Sequence, residues 1–155
     1  MKSILFVCLG NICRSPTAEA VFSARLAAAG LEVHIESAGT IPHHQGNPPD
    51  ARAIHHARLH GIDMGDQRAR EVTEEDFDRF DRIFAMDRSN LAELERRRPA
   101  RARARVELVM SLVPDYGLDE VPDPYYGGDE GFRRVLDMLD AAAERLIAEL
   151  QPPTR

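Results

Sequence analysis

The sequence predicts an α/β fold, a single doubly wound domain with a four-stranded parallel sheet flanked by helices. Three observations carry this. Short β-prone apolar runs alternate with longer amphipathic stretches of helical period, the pattern of parallel strands joined by crossover helices. The first run, Ile4-Leu5-Phe6-Val7, is apolar without a break, as in a strand buried on both faces. It passes through a tight loop into a helix opened by a proline, so chemistry-bearing residues fall at the strand's carboxyl end, where open α/β sheets bind ligands.

Ile4 to Cys8 is the first strand, and Pro16 to Gly30 reads as a helix stopped by glycine. Val33 to Ser37 alternates as a strand does. Pro49 to His60 is helical, with Ala53, Ile54 and Ala57 inward and Gly61 closing it. A short acidic segment, Thr73 to Phe77, precedes a third strand at Arg82 to Met86. Ser89 to Arg98 reads as a helix that ends before Pro99, and Val106 to Met110 as the fourth strand. Ser111 to Gly131, rich in Pro, Gly and Asp, is too long for a mere connector. Phe132 to Leu150 carries one apolar stripe, Phe132, Val135, Leu136, Leu139, Ala143, Leu146, Ile147 and Leu150, and is the last helix. Residues 1–150 thus form the domain and 151–155 a short tail.

Composition narrows the function classes. A chain of 155 residues with 43% hydrophobic residues has enough apolar material for one sizeable core. A net charge of −6 argues against nucleic acid as a partner. The two cysteines, Cys8 and Cys13, share one loop and cannot staple distant segments. The N-terminal apolar run is too short for a signal peptide, and no stretch reaches membrane-spanning length. A reducing cytoplasm is the expected location.

The loop from Cys8 to Pro16 holds the chemistry. Backbone N–H groups of Leu9, Gly10, Asn11, Ile12 and Cys13, together with the positive end of the following helix, form a setting that binds a tetrahedral oxyanion. The same setting stabilises a thiolate at Cys8. Arg14 adds a planar fork that grips two phosphate oxygens at once. The loop suits a nucleophile attacking a phosphoryl group.

At this point the chain closely resembles the low-molecular-weight protein tyrosine phosphatases, whose loop is the same Cys-x5-Arg-Ser-Pro near the start of the chain. The resemblance extends to Glu36–Thr40, Gly46–Asp50, Val72–Phe77, Met86–Leu91 and Asp123–Gly127, in the family's order. It implies hydrolysis of protein phosphotyrosine through a cysteinyl-phosphate, with Cys8 as nucleophile and Asp123 as general acid and then base. Asp123 also suits that role on its own position, in the long loop between Pro122 and Pro124, because the acid must approach from the side opposite the nucleophile. The resemblance further implies that Ser15 supports the Cys8 sulfur and that Asn11 bonds across the loop. It places His43 and His44 at the pocket mouth and Tyr125 and Tyr126 on a facing aromatic wall. Implied partners are phosphotyrosine proteins, a tyrosine kinase among the candidates, with inorganic phosphate or vanadate as inhibitors. No cofactor or metal is required. Cys13 is either a redox partner of Cys8, as in the family, or a small buried thiol. One departure stands out: Gln67 occupies a position three before Arg70 where the family often has His supporting the loop asparagine.

Other readings are weaker. His56 and His60 are one helical turn apart but lack a ligand cluster, so a solvated face is expected. The Arg-rich run from Arg96 to Arg105 reads as a helix end and a solvated connector. Arsenate reductases share the nucleophile loop, yet no Cys follows Cys13 to relay a disulfide within the chain, which leaves a glutathione- or glutaredoxin-coupled reductase as the alternative of this class. Arginine phosphatases typically carry Thr where this loop has Ile12. A non-catalytic phosphotyrosine-binding protein would have lost Cys8, Arg14 or Asp123, and all are present.

Overall fold

The computed structural model describes residues 1–124 and 127–151. Strand β1 (Ser3–Cys8) leads into α1 (Arg14–Ala28), β2 (His34–Gly39) and α2 (Ala51–Leu59). A short helix α3 (Asp76–Arg79), β3 (Arg82–Ala85), α4 (Arg88–Arg97), β4 (Arg105–Leu108) and the long α5 (Gly128–Leu150) complete the order. The four strands are all parallel, in the order β2-β1-β3-β4. The chain leaves β1 for one side of the sheet and later returns to the other. The crevice between the carboxyl ends of β1 and β3 is therefore the topological switch point.

The two-residue period of β1 divides the core. Ile4, Phe6 and Cys8 face a cluster built with Val21, Phe22 and Leu26 of α1, Ala53 and Ala57 of α2, and Leu139 and Leu146 of α5. Leu5 and Val7 face the opposite cluster, with Phe77, Phe80, Ile83 and Leu94. Every one of these side chains is buried, so β1 is sandwiched between helical layers, as its unbroken apolar run requires.

Several boundaries differ from the sequence reading. Helix α1 begins at Arg14, so Pro16 lies inside its first turn, where a missing N–H has no intrahelical acceptor to lose. Helix α2 starts at Ala51 because the Asp50 carboxylate caps it, accepting from the Arg52 N–H at 2.8 Å. Strand β4 ends at Leu108 rather than Met110, since Val109–Leu112 turns as a 3-10 helix and sends the chain back over the sheet. The segment expected as loop from Ser111 to Gly131 contains a further 3-10 turn at Pro114–Tyr116 and the first turn of α5, which starts at Gly128 rather than Phe132. Glycines at 127, 128 and 131 mask this helical start, whereas Asp129 and Glu130 favour it through the helix dipole. No helix among the described residues is long and apolar enough to cross a membrane.

Candidate active site

The loop between β1 and α1 curls around the Cys8 sulfur. Asn11 donates its backbone N–H to Sγ at 3.3 Å, and Ser15 Oγ lies 3.0 Å from it. The curl requires a left-handed residue, and Asn11 takes it at φ 58°, a conformation Asn tolerates better than other side chains. It also requires two close approaches. A Cβ on Gly39 would stand 2.7 Å from the Leu9 carbonyl oxygen, and one on Gly10 would stand 2.9 Å from the His44 ring. Glycine at both positions lets β2 and the pocket rim press against the loop.

Asn11 is the hub of this loop. Its amide donates to Ser15 Oγ at 2.8 Å and to Ser37 Oγ at 2.9 Å, and its Oδ1 accepts the Arg70 backbone N–H at 3.0 Å. Ser37 in turn donates to Glu19 Oε1 at 2.8 Å. The carboxylate end fixes the polarity of the chain: Ser37 gives its proton to Glu19 and so accepts from Asn11. Ser15 likewise accepts from Asn11, which leaves its own proton for Cys8 Sγ or for the Ala38 carbonyl at 3.3 Å. A thiolate on Cys8 is the stronger acceptor and draws it. Burial raises the Glu19 carboxyl above its ordinary range, opposed by its bonds from Ser37 and Gln67.

Gln67 does not occupy the place of a histidine supporting Asn11. Its amide nitrogen donates to the Pro16 carbonyl at 2.9 Å, and the Arg70 backbone supports Asn11 instead. Arg70 is itself anchored by the fully buried Asp76 carboxylate, with contacts of 2.9 and 3.0 Å.

Arg14 is only 4% exposed, yet its charge is kept. Burial works against the cation, and the negative charges of Cys8, Asp87 and Asp123 outweigh it, raising its pKa. Its NH1 donates to Asp87 Oδ2 at 2.6 Å and to the Val121 carbonyl at 3.0 Å, and NH2 is 4.0 Å from Asp123 Oδ2. Asp87 also caps α4 through its other oxygen, which accepts from Asn90 N at 2.8 Å. One carboxylate thus ties the guanidinium to the end of β3. Asp123 has a half-exposed side chain facing the same opening.

Cys8, Leu9, Gly10, Ile12, Cys13, Arg14, His43, His44 and Asp123 line one cavity of about 370 Å³, with Ile41. Asn11 and Ser15 lie behind its floor, fully engaged in the network. Leu9 and Ile41 are exposed apolar side chains at its rim, and the His43 and His44 rings meet edge to face at 4.8 Å. Tyr125 and Tyr126, expected on the facing wall, lie outside the described residues. Cys8 and Cys13 are both free. The Cys13 thiol is pushed up to about 12 by burial first and then by Asp50, Cys8 and Asp123.

Sequence reasoning missed Asp87, Ser37, Glu19 and Ile41 as parts of this site. Asp87 carries the local signature of a helix cap, which hides its second bond. Ser37 and Glu19 enter only through contacts across 26 and 18 residues of chain. The weaker features resolve differently. His56 is buried and bonds Asp129 of α5, whereas His60 is exposed, as expected, and bonds Asp140 of the same helix; no described group of three His, Cys, Asp or Glu is placed to hold a metal. The Arg-rich run is engaged in ion pairs, Arg96 and Arg97 with Glu93 and Arg103 with Asp81.

Comparison with known proteins agrees with this geometry. A low molecular weight protein-tyrosine-phosphatase of Bacillus subtilis is 41% identical over 153 residues, 97% of each chain. The crystal structure of a protein tyrosine phosphatase from Entamoeba histolytica superposes with a TM-score of 0.92 at 41% identity, covering 97% of each chain. That of a Drosophila arginine phosphatase superposes with a TM-score of 0.91 at 31% identity, covering 99% of this chain and 100% of that one. Residues 3–154 match the model of the low molecular weight phosphotyrosine protein phosphatases, and the chain belongs to this hydrolase family.

Proposed function

We propose that the protein hydrolyses phosphotyrosine in protein substrates, and small aryl phosphates, through a cysteinyl-phosphate. The observation that supports this most is the single cavity that Cys8, Arg14 and Asp123 share. Cys8 attacks phosphorus in line, forming the S–P bond as the bond to the phenolic oxygen breaks, and Asp123 gives that oxygen its proton. Arg14 and the loop N–H groups hold the equatorial oxygens, which gain charge balance without a metal. Water then attacks the cysteinyl-phosphate, Asp123 takes its proton, and inorganic phosphate leaves. Ser15 holds the departing thiolate, and Asn11 keeps Ser15 aimed at it. Phosphate and vanadate occupy the same cradle and inhibit. A thiolate nucleophile needs a reducing compartment, and we place the reaction in the cytoplasm, with tyrosine-phosphorylated proteins, a tyrosine kinase among them, as substrates.

The likeness to an arginine phosphatase gives a second reading, removal of phosphate from phosphoarginine. Ile12 on the cavity wall, with Leu9 and Ile41 at the rim, favours a flat apolar ring over a guanidinium. The test is pre-steady-state release of the leaving group from phosphotyrosine, phosphoarginine and p-nitrophenyl phosphate by wild type and Asp123→Asn. The expected result is a burst with the aryl esters, little turnover of phosphoarginine, and a loss in Asp123→Asn far larger for phosphotyrosine than for the nitrophenyl ester. Equal loss on both aryl esters would remove Asp123 from the acid role.

A further inference from the structure

Helix α2 touches both halves of the active site. At its start, Asp50 donates its backbone N–H to the Ile12 carbonyl in the nucleophile loop at 2.8 Å. One and a half turns later His56, buried to 7% exposure, donates from Nε2 to Asp129 Oδ1 at 3.0 Å, and its ring stacks on Phe132 at 5.3 Å with an interplanar angle of 6°. Arg52 covers the same Phe132 ring, its guanidinium carbon 5.2 Å from the centroid. Asp129 and Phe132 belong to the first turns of α5. Those turns carry the acid segment: Gly131 packs against Pro124, a Cβ there falling 3.5 Å from the Pro124 Cα, and Gly127 donates its N–H to the Pro124 carbonyl at 3.0 Å. Pro124 is buried and directly follows Asp123.

From this continuous path we infer that His56 is a positioning residue for Asp123: with Asp129 and Phe132 it fixes the start of α5, and so the acid, at a set distance from the nucleophile loop. The bond is one-sided in a telling way. The His56 side chain is 8% exposed and the Asp129 side chain 79%, so a surface carboxylate has been recruited to satisfy a buried imidazole nitrogen. A solvated helix face would need neither. The role rests on Asp123 as general acid, and small displacements of a proton donor are costly to rate.

The test uses Asp129→Ala, which removes an exposed side chain without opening the core, and His56→Phe, which keeps the stack on Phe132 and loses the donor. Burst-phase rates are measured with phenyl phosphate and p-nitrophenyl phosphate, alongside Asp123→Asn. Both variants are expected to slow phenol release roughly 3- to 10-fold with unchanged KM, to slow nitrophenol release less than twofold, and to combine without further loss because they break one contact. Asp129→Asn, which still accepts the bond, is expected to restore the rate. Equal slowing of both esters, or no slowing in Asp129→Ala, would overturn the positioning role while a leaving-group effect in Asp123→Asn upheld the acid. Absence of that effect in Asp123→Asn would overturn both.

Discussion

The nucleophile loop and the acid segment face each other across one cavity and are held in opposite ways. Around Cys8, the polar side chains Asn11, Arg14 and Ser15 are buried and bonded to several elements at once. On the far side Asp123 is half exposed, and its segment is fastened at Val121, whose N–H reaches the Met86 carbonyl at 2.8 Å and whose carbonyl takes Arg14, and at Pro124. The difference fits what each would do in the proposed mechanism. A cradle for a charged, tetrahedral group works best when its dipoles are already aimed and need no reorganisation. A proton donor must admit the substrate first and meets only one atom of it, so a stiff, accessible backbone flanked by prolines is sufficient. The chain therefore concentrates its buried polar contacts on the loop and tethers the acid from outside.

The largest effect expected comes from the loop. Cys8→Ser should reduce turnover of aryl phosphates roughly 10⁴-fold or more, the scale of losing a nucleophile, while phosphate affinity changes only a few-fold. Isothermal titration with phosphate and stopped-flow turnover on the same preparation separate the two. Arg14→Lys should cost roughly 10²- to 10³-fold in kcat/KM, because an ammonium cannot reproduce the fork. Asp87→Asn should cost about tenfold, the loss of one charge-assisted bond to Arg14 of about 1.5 kcal/mol, with little change in Tm because an amide oxygen still caps α4. An unchanged kcat/KM in Asp87→Asn would show that Arg14 is held well enough by Val121 alone.

Much of this contrast was legible in the chain. The buried strand, the Cys-x5-Arg loop and the helix behind it are contiguous, so their geometry follows from local rules, whereas Asp123 between its prolines reads alone as the start of a turn and is singled out by the family resemblance. What stayed hidden has a physical reason in each case. Asp87 reads as a helix cap and is one, and nothing local reveals that its second oxygen holds Arg14. The start of α5 lies under glycines that weaken the helical signal, so the packing of Gly131 on Pro124 could not be seen. His56 looked solvated because its partner is 73 residues away. Gln67 was read against a histidine, whereas the fold hands its task to a backbone N–H at Arg70, which leaves no side-chain signature.

That substitution of roles yields a prediction on stability rather than chemistry. Asp76 is fully buried, pairs with Arg70, and accepts the Thr73 backbone N–H at 2.8 Å. Asp76→Asn should lower stability by about 3 kcal/mol, since it leaves a half-buried guanidinium without its main anion. Urea unfolding measures it. Catalysis should fall only a few-fold, through looser support of Asn11.

The smallest effect concerns the second cysteine and tests how local the special character of the loop is. Cys8 and Cys13 bracket the same cradle, and both are buried. Burial, reinforced by Asp50, Cys8 and Asp123, lifts the Cys13 thiol to about 12. An acid whose pKa is raised keeps its proton over a wider range, so Cys13 should remain a neutral thiol at every pH below about 11, and only the thiolate alkylates at a useful rate. Iodoacetamide at neutral pH should therefore modify Cys8 alone, with loss of activity and protection by phosphate, while peptide mapping finds Cys13 unmodified until the protein is unfolded. Cys13→Ala should alter kcat/KM less than threefold. Modification of Cys13 in the folded protein at neutral pH would mean that burial does not keep it inert, and the contrast between a reactive sulfur and an inert one five residues on would have to be abandoned.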